Sequence, residues 1–158
     1  MKDKSELKGI GGWLILPAIG VFLGPIYAFG VDIASFAPYF EYGDFWGTIS
    51  YVSSTIPNFL IIFWFEALFA IIYDIFLLYL IYLMVKKKSF FPVLYVRLIY
   101  ITIVYTIIDN IAVYTLMGEE LFTLDAIEIR AIFQTLVALA IWVPYMKKSV
   151  RVKNTFIN

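Results

Sequence analysis

Four long apolar stretches alternate with polar or aromatic-rich connections along this chain, at about residues 10–31, 59–85, 93–117 and 129–146. A helix rises about 1.5 Å per residue and the hydrocarbon core of a bilayer is about 30 Å thick, so each stretch is long enough to cross. The second, at about 27 residues, measures roughly 40 Å and is expected to tilt or protrude; the fourth, at about 18, measures roughly 27 Å and just spans. In lipid a helix satisfies its own backbone hydrogen bonds. The pattern predicts an all-α polytopic membrane protein, a single transmembrane domain over residues 1–158 built as an antiparallel bundle of four helices.

Charge then orients the bundle. Lys2, Lys4 and Lys8 precede the first stretch, Lys86, Lys87, Lys88 and Arg97 bracket the junction of the second and third, and Lys147, Lys148, Arg151 and Lys153 follow the fourth. The other two connections carry Asp32, Glu41, Asp44, Glu119, Glu120, Asp125 and Glu128, with Arg130 as their only base. Basic loops stay on the cytoplasmic side. Both termini and the 86–92 turn are therefore expected inside, and loops 32–58 and 118–128 outside.

Local signals refine the elements. Pro17 and Pro25 lie inside the first stretch, where neighbouring helices can re-satisfy freed carbonyls. Gly20, Gly24 and Ala28 form a small-residue ridge that predicts close helix packing. Residues 35–58 hold Phe36, Tyr39, Phe40, Tyr42, Phe45, Trp46 and Tyr51, a composition suited to a loop lying at the headgroup level with a short helix near 44–53. A lid over a ligand is the alternative reading of the same loop. Pro92 is placed to open the third helix and Gly118 to end it. Trp142 and Tyr145 anchor the inner end of the fourth. The tail interleaves basic and apolar residues, so Lys147, Lys148, Arg151 and Lys153 are candidates to touch anionic lipid headgroups; plain topogenic charge explains them equally well.

Composition agrees with a lipid environment: 63% hydrophobic, 20% aromatic and 15% charged, with mean hydropathy +0.89. Soluble domains are nearer 45–50% apolar. Net charge is zero because 12 basic residues balance 12 acidic ones, and their segregation by side leaves no nucleic-acid footprint. The N-terminal stretch resembles a signal peptide, but it is longer than the 7–15 residues of a secretory apolar region. It is read as a retained helix.

Ionisable groups inside spans are costly and point to function by default. Asp74 lies 12 residues before Lys86, Asp109 lies 12 after Arg97, and Gln134 lies 13 before Lys147. These spacings place all three roughly 18–20 Å from the inner end, just outward of the midplane. Asn110 adjoins Asp109, and Thr102, Thr106 and Asp109 share one helix face. Glu66 and Arg130, roughly 30 and 25 Å out, lie near the outer interface, where Arg130 could pair with Glu66 or Asp109. Asp74, Asp109, Asn110, Gln134, Glu66 and Arg130 form the candidate intramembrane polar cluster. It serves either to fix helix register or to line a polar cavity for a proton or cation.

Catalysis has little support. The chain has no His and no Cys, which removes the commonest general base and the thiolate and imidazole metal ligands. No serine has a base at recognisable spacing. Gly9, Gly11 and Gly12 precede a membrane helix rather than following a strand, so they form no phosphate loop. No catalytic residue, metal or cofactor is expected.

The two ends carry a resemblance. Gly11, Gly12, Trp13 and Leu14 open an apolar run continued by Ile19 and Gly20. Trp142, Pro144, Tyr145, Ser149, Arg151, Val152, Lys153, Thr155 and Phe156 close the chain. In both, the chain resembles domain of unknown function 2569, a family of small bacterial inner-membrane proteins. The resemblance implies four spans and a bacterial cytoplasmic membrane, carries no activity, and marks the Ser149–Lys153 segment as a candidate contact for lipid or a partner. The functional expectation is a non-enzymatic membrane module that binds lipid or a membrane protein, a second copy of itself included. Such a module could be an accessory subunit or a protein protecting its own cell from a membrane-active toxin. A small proton- or cation-coupled transporter or channel using Asp74 and Asp109 is the alternative, and a lipid-modifying enzyme the remotest.

Overall fold

A computed structural model describes residues 7–41, 43–118 and 126–158, with backbone alone at 126–128 and 131. Lys2, Lys4, Tyr42, Glu119, Glu120 and Asp125 lie outside the described residues, as does the side chain of Glu128. Every regular element described is helical. The order is α1 (Ile15–Phe36), α2 (Phe45–Thr55), α3 (Phe59–Val85), α4 (Phe91–Ala112), α5 (Ala126–Lys148) and α6 (Val150–Thr155). Tight 3₁₀ turns flank α1 at Gly12–Leu14 and Ala37–Phe40, and α4 runs into a π turn at Val113–Met117.

Each boundary has a local cause. The Asp44 carboxylate accepts a hydrogen bond from the Gly47 amide at 2.8 Å and so starts α2. The α3–α4 turn closes α3 as a Schellman motif: Lys87 takes φ 51°, while the Lys88 and Lys87 amides donate to the Leu83 and Met84 carbonyls at 2.9 and 3.1 Å. Lysines there also complement the negative end of the α3 dipole. Pro92 sits in the first turn of α4. Gly118, at φ 104°, stops the chain after the π turn.

One expected boundary moves. Hydropathy ended the first stretch at 31 and assigned Asp32 to an outer loop. Helix α1 instead continues to Phe36, because Asp32 is engaged by α3, as described below. Residues 32–40 thus belong to the helix and its terminal turn rather than to the loop.

Three stretches are long and apolar enough to cross a membrane: Gly12–Phe40, Phe59–Val85 and Phe91–Met117, each with fewer than a third of its window buried. The outward faces carry side chains such as Ile26, Ile33, Ile75 and Phe133, all more than 60% exposed. An apolar exterior of this extent fits a lipid solvent rather than water. Helix α5 packs chiefly on α4, and direct packing runs from α1 to α3 to α4 to α5.

The main core occupies the end where the termini meet. Leu14, Ala18 and Val21 of α1 pack with Leu77, Leu80 and Met84 of α3, Phe91 and Val96 of α4, and Val143 and Met146 of α5. Val152 and Phe156 belong to the same core, Phe156 stacking on Phe91 at 4.5 Å. The tail, expected to lie against headgroups, therefore turns its apolar residues inward. Thr155 is fully buried and ties the ends together: its hydroxyl accepts from the Gly9 amide at 2.9 Å and donates to the Arg151 carbonyl at 2.7 Å. Asn158 completes the clasp, its amide donating to the Lys87 carbonyl at 3.3 Å and its carbonyl accepting from the Ser89 amide at 2.8 Å. A smaller aromatic cluster at the other end packs Ile49 of α2 against Phe59 and Phe63 of α3, with Phe36 and Tyr39 against it.

Thr155→Val removes both partners of the clasp while keeping the shape. It should cost about 1–3 kcal/mol, and Thr155→Ser should retain most of that stability. Thermal unfolding in detergent reads the difference; equal melting of the two variants would show that shape, not bonding, holds the ends.

Candidate functional site

Between the two apolar clusters lies a layer of carboxyl groups drawn from three helices. Asp32 of α1 and Asp74 of α3 meet directly, their side chains within hydrogen-bonding reach of each other. Two carboxylates offer only acceptors, so a bond between them requires a proton held by one. Asp74 is 7% exposed, and its Oδ1 is buried without a hydrogen-bond partner. Tyr73 adjoins both aspartates and reaches Thr102 of α4. Just over two turns outward on α3, Glu66 has Asp109 of α4 as a nearby charge, with Tyr39 also near it. Tyr105 lies near enough to Asp109, Glu66 and Asp32 to feel their charge. Its ring is clamped in place by Phe69, stacked at 3.4 Å.

Apart from the contact of Thr102 with Tyr73, the polar side chains of α4 bond to their own helix. Thr102 donates to the Leu98 carbonyl at 3.0 Å, Thr106 to Thr102 at 2.9 Å, and Asn110 through Nδ2 to Thr106 at 2.8 Å. The stripe read as a polar face is instead a ladder of bonds back to its own helix, a common way for such residues to be satisfied in lipid. Asn110 and Thr106 border an apolar cavity of about 330 Å³ between α4 and α5. Gln134 is exposed on α5 and borders a separate open cavity of about 380 Å³, which Tyr73, Thr102 and Tyr27 also line. Arg130 is exposed, and the charge that acts on Glu66 is that of Asp109.

The glycine ridge also departs from expectation. A Cβ at Gly20 would meet nothing within 4 Å, and one at Gly24 only Leu77 at 3.9 Å. Both glycines border the cavity lined by Gln134. They leave space there instead of drawing two backbones together.

Of the six expected cluster residues, the structure joins Asp109 to Glu66 and Asp74 to a residue outside the set. Asp32, Tyr73 and Tyr105 are the members that sequence reasoning missed. The available signal for Asp32 was its lone charge beside an unbroken apolar run. Among the described residues no three carboxylates converge closely enough to hold a metal ion. Among the described residues Asp32 and Asp74 have each other and Tyr73 as neighbouring titratable groups, a set of carboxyl and phenol oxygens able to exchange a proton.

If the Asp32–Asp74 bond joins α1 to α3, removing one partner is worse than removing both. Asp32→Leu alone should cost about 1–3 kcal/mol by leaving Asp74 buried and unanswered, and adding Asp74→Leu should recover part of it. Melting temperatures of the two single and the double variants test this; strict additivity would mean that the carboxyls do not interact.

No curated protein and no solved structure gives a significant match to this chain. A family model described as a protein of unknown function (DUF2569) matches residues 7–157. That span takes in the Gly11–Leu14 opening, the carboxyl layer and the closing clasp, and the chain belongs to this family.

Proposed function

We propose that the chain is a non-enzymatic module of a bacterial inner membrane, crossing it four times with both termini in the cytoplasm, and that its carboxyl layer binds and releases protons. Helix α5 supplies the fourth crossing: it carries the stretch 129–146 and ends in Lys147 and Lys148. The basic residues at the end where the termini and the 86–92 turn meet support the cytoplasmic assignment.

The observation carrying the proton reading is the Asp32–Asp74 pair. With Asp74 buried and Asp32 half-buried, two negative charges at close range repel, and one proton shared between the carboxyls removes that repulsion. Tyr73 and Tyr105 offer hydroxyls between this pair and the Glu66–Asp109 pair. Proton-coupled movement of a solute, or a proton conductance, is the activity this arrangement supports. A second reading, a module that binds lipid through its cytoplasmic face, is favoured by the basic surface described in the next subsection.

Purified protein in liposomes loaded with a pH-sensitive dye, under an imposed potassium diffusion potential, tests the first reading. Wild type should acidify the lumen faster than protein-free vesicles. Asp32→Asn and Asp74→Asn should return the rate to the vesicle leak, while Asp44→Asn, in the helix cap, should not. A rate unchanged in the Asp32→Asn/Asp74→Asn double variant would remove the proton reading.

A further inference from the structure

At the clasped end a cavity of about 570 Å³ opens between α4, α5 and α6. Three cations from three different helices line it: Arg97 of α4, Lys147 of α5 and Lys153 of α6. No acidic side chain is among the lining residues; the Ser89 hydroxyl is. The floor is apolar, made by Val96 and Met146, both buried. The walls are held in place. Phe156 stacks on Phe91, Thr155 is bonded to Gly9, and Asn158 is bonded across to the α3–α4 turn. The Lys147 ammonium stands 6.0 Å from the centre of the Tyr100 ring, which also lines the cavity.

Gathering three cations with no acidic side chain among the described lining residues costs repulsion, and an anion among them removes it. Arg97 lies six residues beyond Phe91, roughly 9 Å into α4, so its guanidinium is at the depth where headgroup meets hydrocarbon. A planar guanidinium and two ammonium groups above an apolar floor complement a phosphate attached to something apolar. Only two of the four tail cations suggested by the sequence take part. The guanidinium of Arg151 is packed beside Gly11 and Gly12, and Lys148 points to the exterior.

We propose that this cavity is a binding site for one anionic phospholipid of the cytoplasmic leaflet, its phosphate held by Arg97, Lys147 and Lys153 and its glycerol backbone resting on the apolar floor. The site rests on the membrane placement proposed above and not on the proton chemistry. Its shared recognition element is a phosphate ester. The apolar floor and the depth of Arg97 favour a lipid over a soluble phosphate.

Native mass spectrometry of the full chain in a non-ionic detergent tests it, with phosphatidylglycerol, phosphatidylcholine and glycerol 3-phosphate as probes. Wild type should retain phosphatidylglycerol in preference to phosphatidylcholine. Each cation removed from the cavity should lower that preference about fivefold. The Arg97→Ala/Lys147→Ala/Lys153→Ala variant should therefore show none. Lys87→Ala/Lys88→Ala, which removes charge from the same end outside the cavity, should keep it. Should the triple variant fail to fold, Arg97→Gln alone, with its melting temperature checked, should still show the single-step loss. Equal retention of the two lipids by wild type, an unchanged preference in the folded cavity variants, or competition by glycerol 3-phosphate at the concentrations where phosphatidylglycerol binds would each overturn the lipid assignment. A flux defect in the Asp32 and Asp74 variants bears on none of these outcomes, so failure of either proposal leaves the other standing.

Discussion

A side chain or backbone group surrounded by hydrocarbon has no solvent to bond, and most features of this chain answer that constraint. The outward faces of α1, α3 and α5 are built from residues such as Ile26, Ile75 and Phe133, which need no partner. The polar residues on α4 turn back on the helix itself, Thr102 to Leu98, Thr106 to Thr102 and Thr115 to Ile111 at 2.7 Å. The clasp at the termini follows the same rule: Thr155 is fully buried, and its hydroxyl both donates and accepts. Against that background the buried Oδ1 of Asp74, without a hydrogen bond, is an exception. In a fold that satisfies its polar groups so consistently, an unsatisfied one at a carboxyl pair is where strain and function are expected to coincide.

What the sequence made legible was local or additive. The Pro92 start and the Gly118 stop act through neighbours a few residues away and lie where the pattern placed them, and the short helix expected near 44–53 starts at the Asp44 cap. Hydropathy sums over a window, so it located the long helices, including the full 27 residues of α3. The same summing clipped α1. A window reads Asp32 as a loss of hydropathy whether the carboxyl faces water or a second carboxyl, and only the packing of α1 on α3 decides between them. Gly20 and Gly24 failed for a related reason: small size permits close approach but does not supply the partner, and here the space is left open. In the tail, the interleaved basic and apolar residues suggest a segment against headgroups, but spacing alone does not show that Val152 and Phe156 have a core opposite them. The groove beside Phe91 is a tertiary feature.

The two ends of the molecule are built differently, and the difference bears on how a proton could matter. At the basic end, side chains from α1, α3, α4, α5 and the tail share one core, with Leu80, Met84 and Phe91 at or below 1% exposure. Gly9 ahead of α1 and the α3–α4 turn are each bonded to the C-terminal residues there. Beyond the carboxyl layer the buried cluster shrinks to Ile49, Phe59 and Phe63 with partly buried aromatics around them. One long-range side-chain bond among the described residues, Asn58 Nδ2 to the Leu116 carbonyl at 2.7 Å, joins the start of α3 to the π turn at the end of α4. A π turn leaves carbonyls outside the regular ladder, and such turns recur at functional positions.

Asp32 and Asp74 lie between two points where α1 is held to α3: the shared core on one side, and Phe36 packed on Phe63 at 5.6 Å on the other. Loss of the proton between them would set like charges against each other in a medium of low dielectric, where repulsion is weakly screened. The clasped end has many buried contacts to break before it yields; the opposite end has few. Parting α1 from α3 beyond the carboxyl pair would break the contacts of Phe36 and Tyr39 with Phe63, whereas parting them on the near side would break the shared core, so the outer contacts are the cheaper ones to lose. A lipid at the proposed site among Arg97, Lys147 and Lys153 would brace α4, α5 and α6 beside that core and leave the outer contacts untouched.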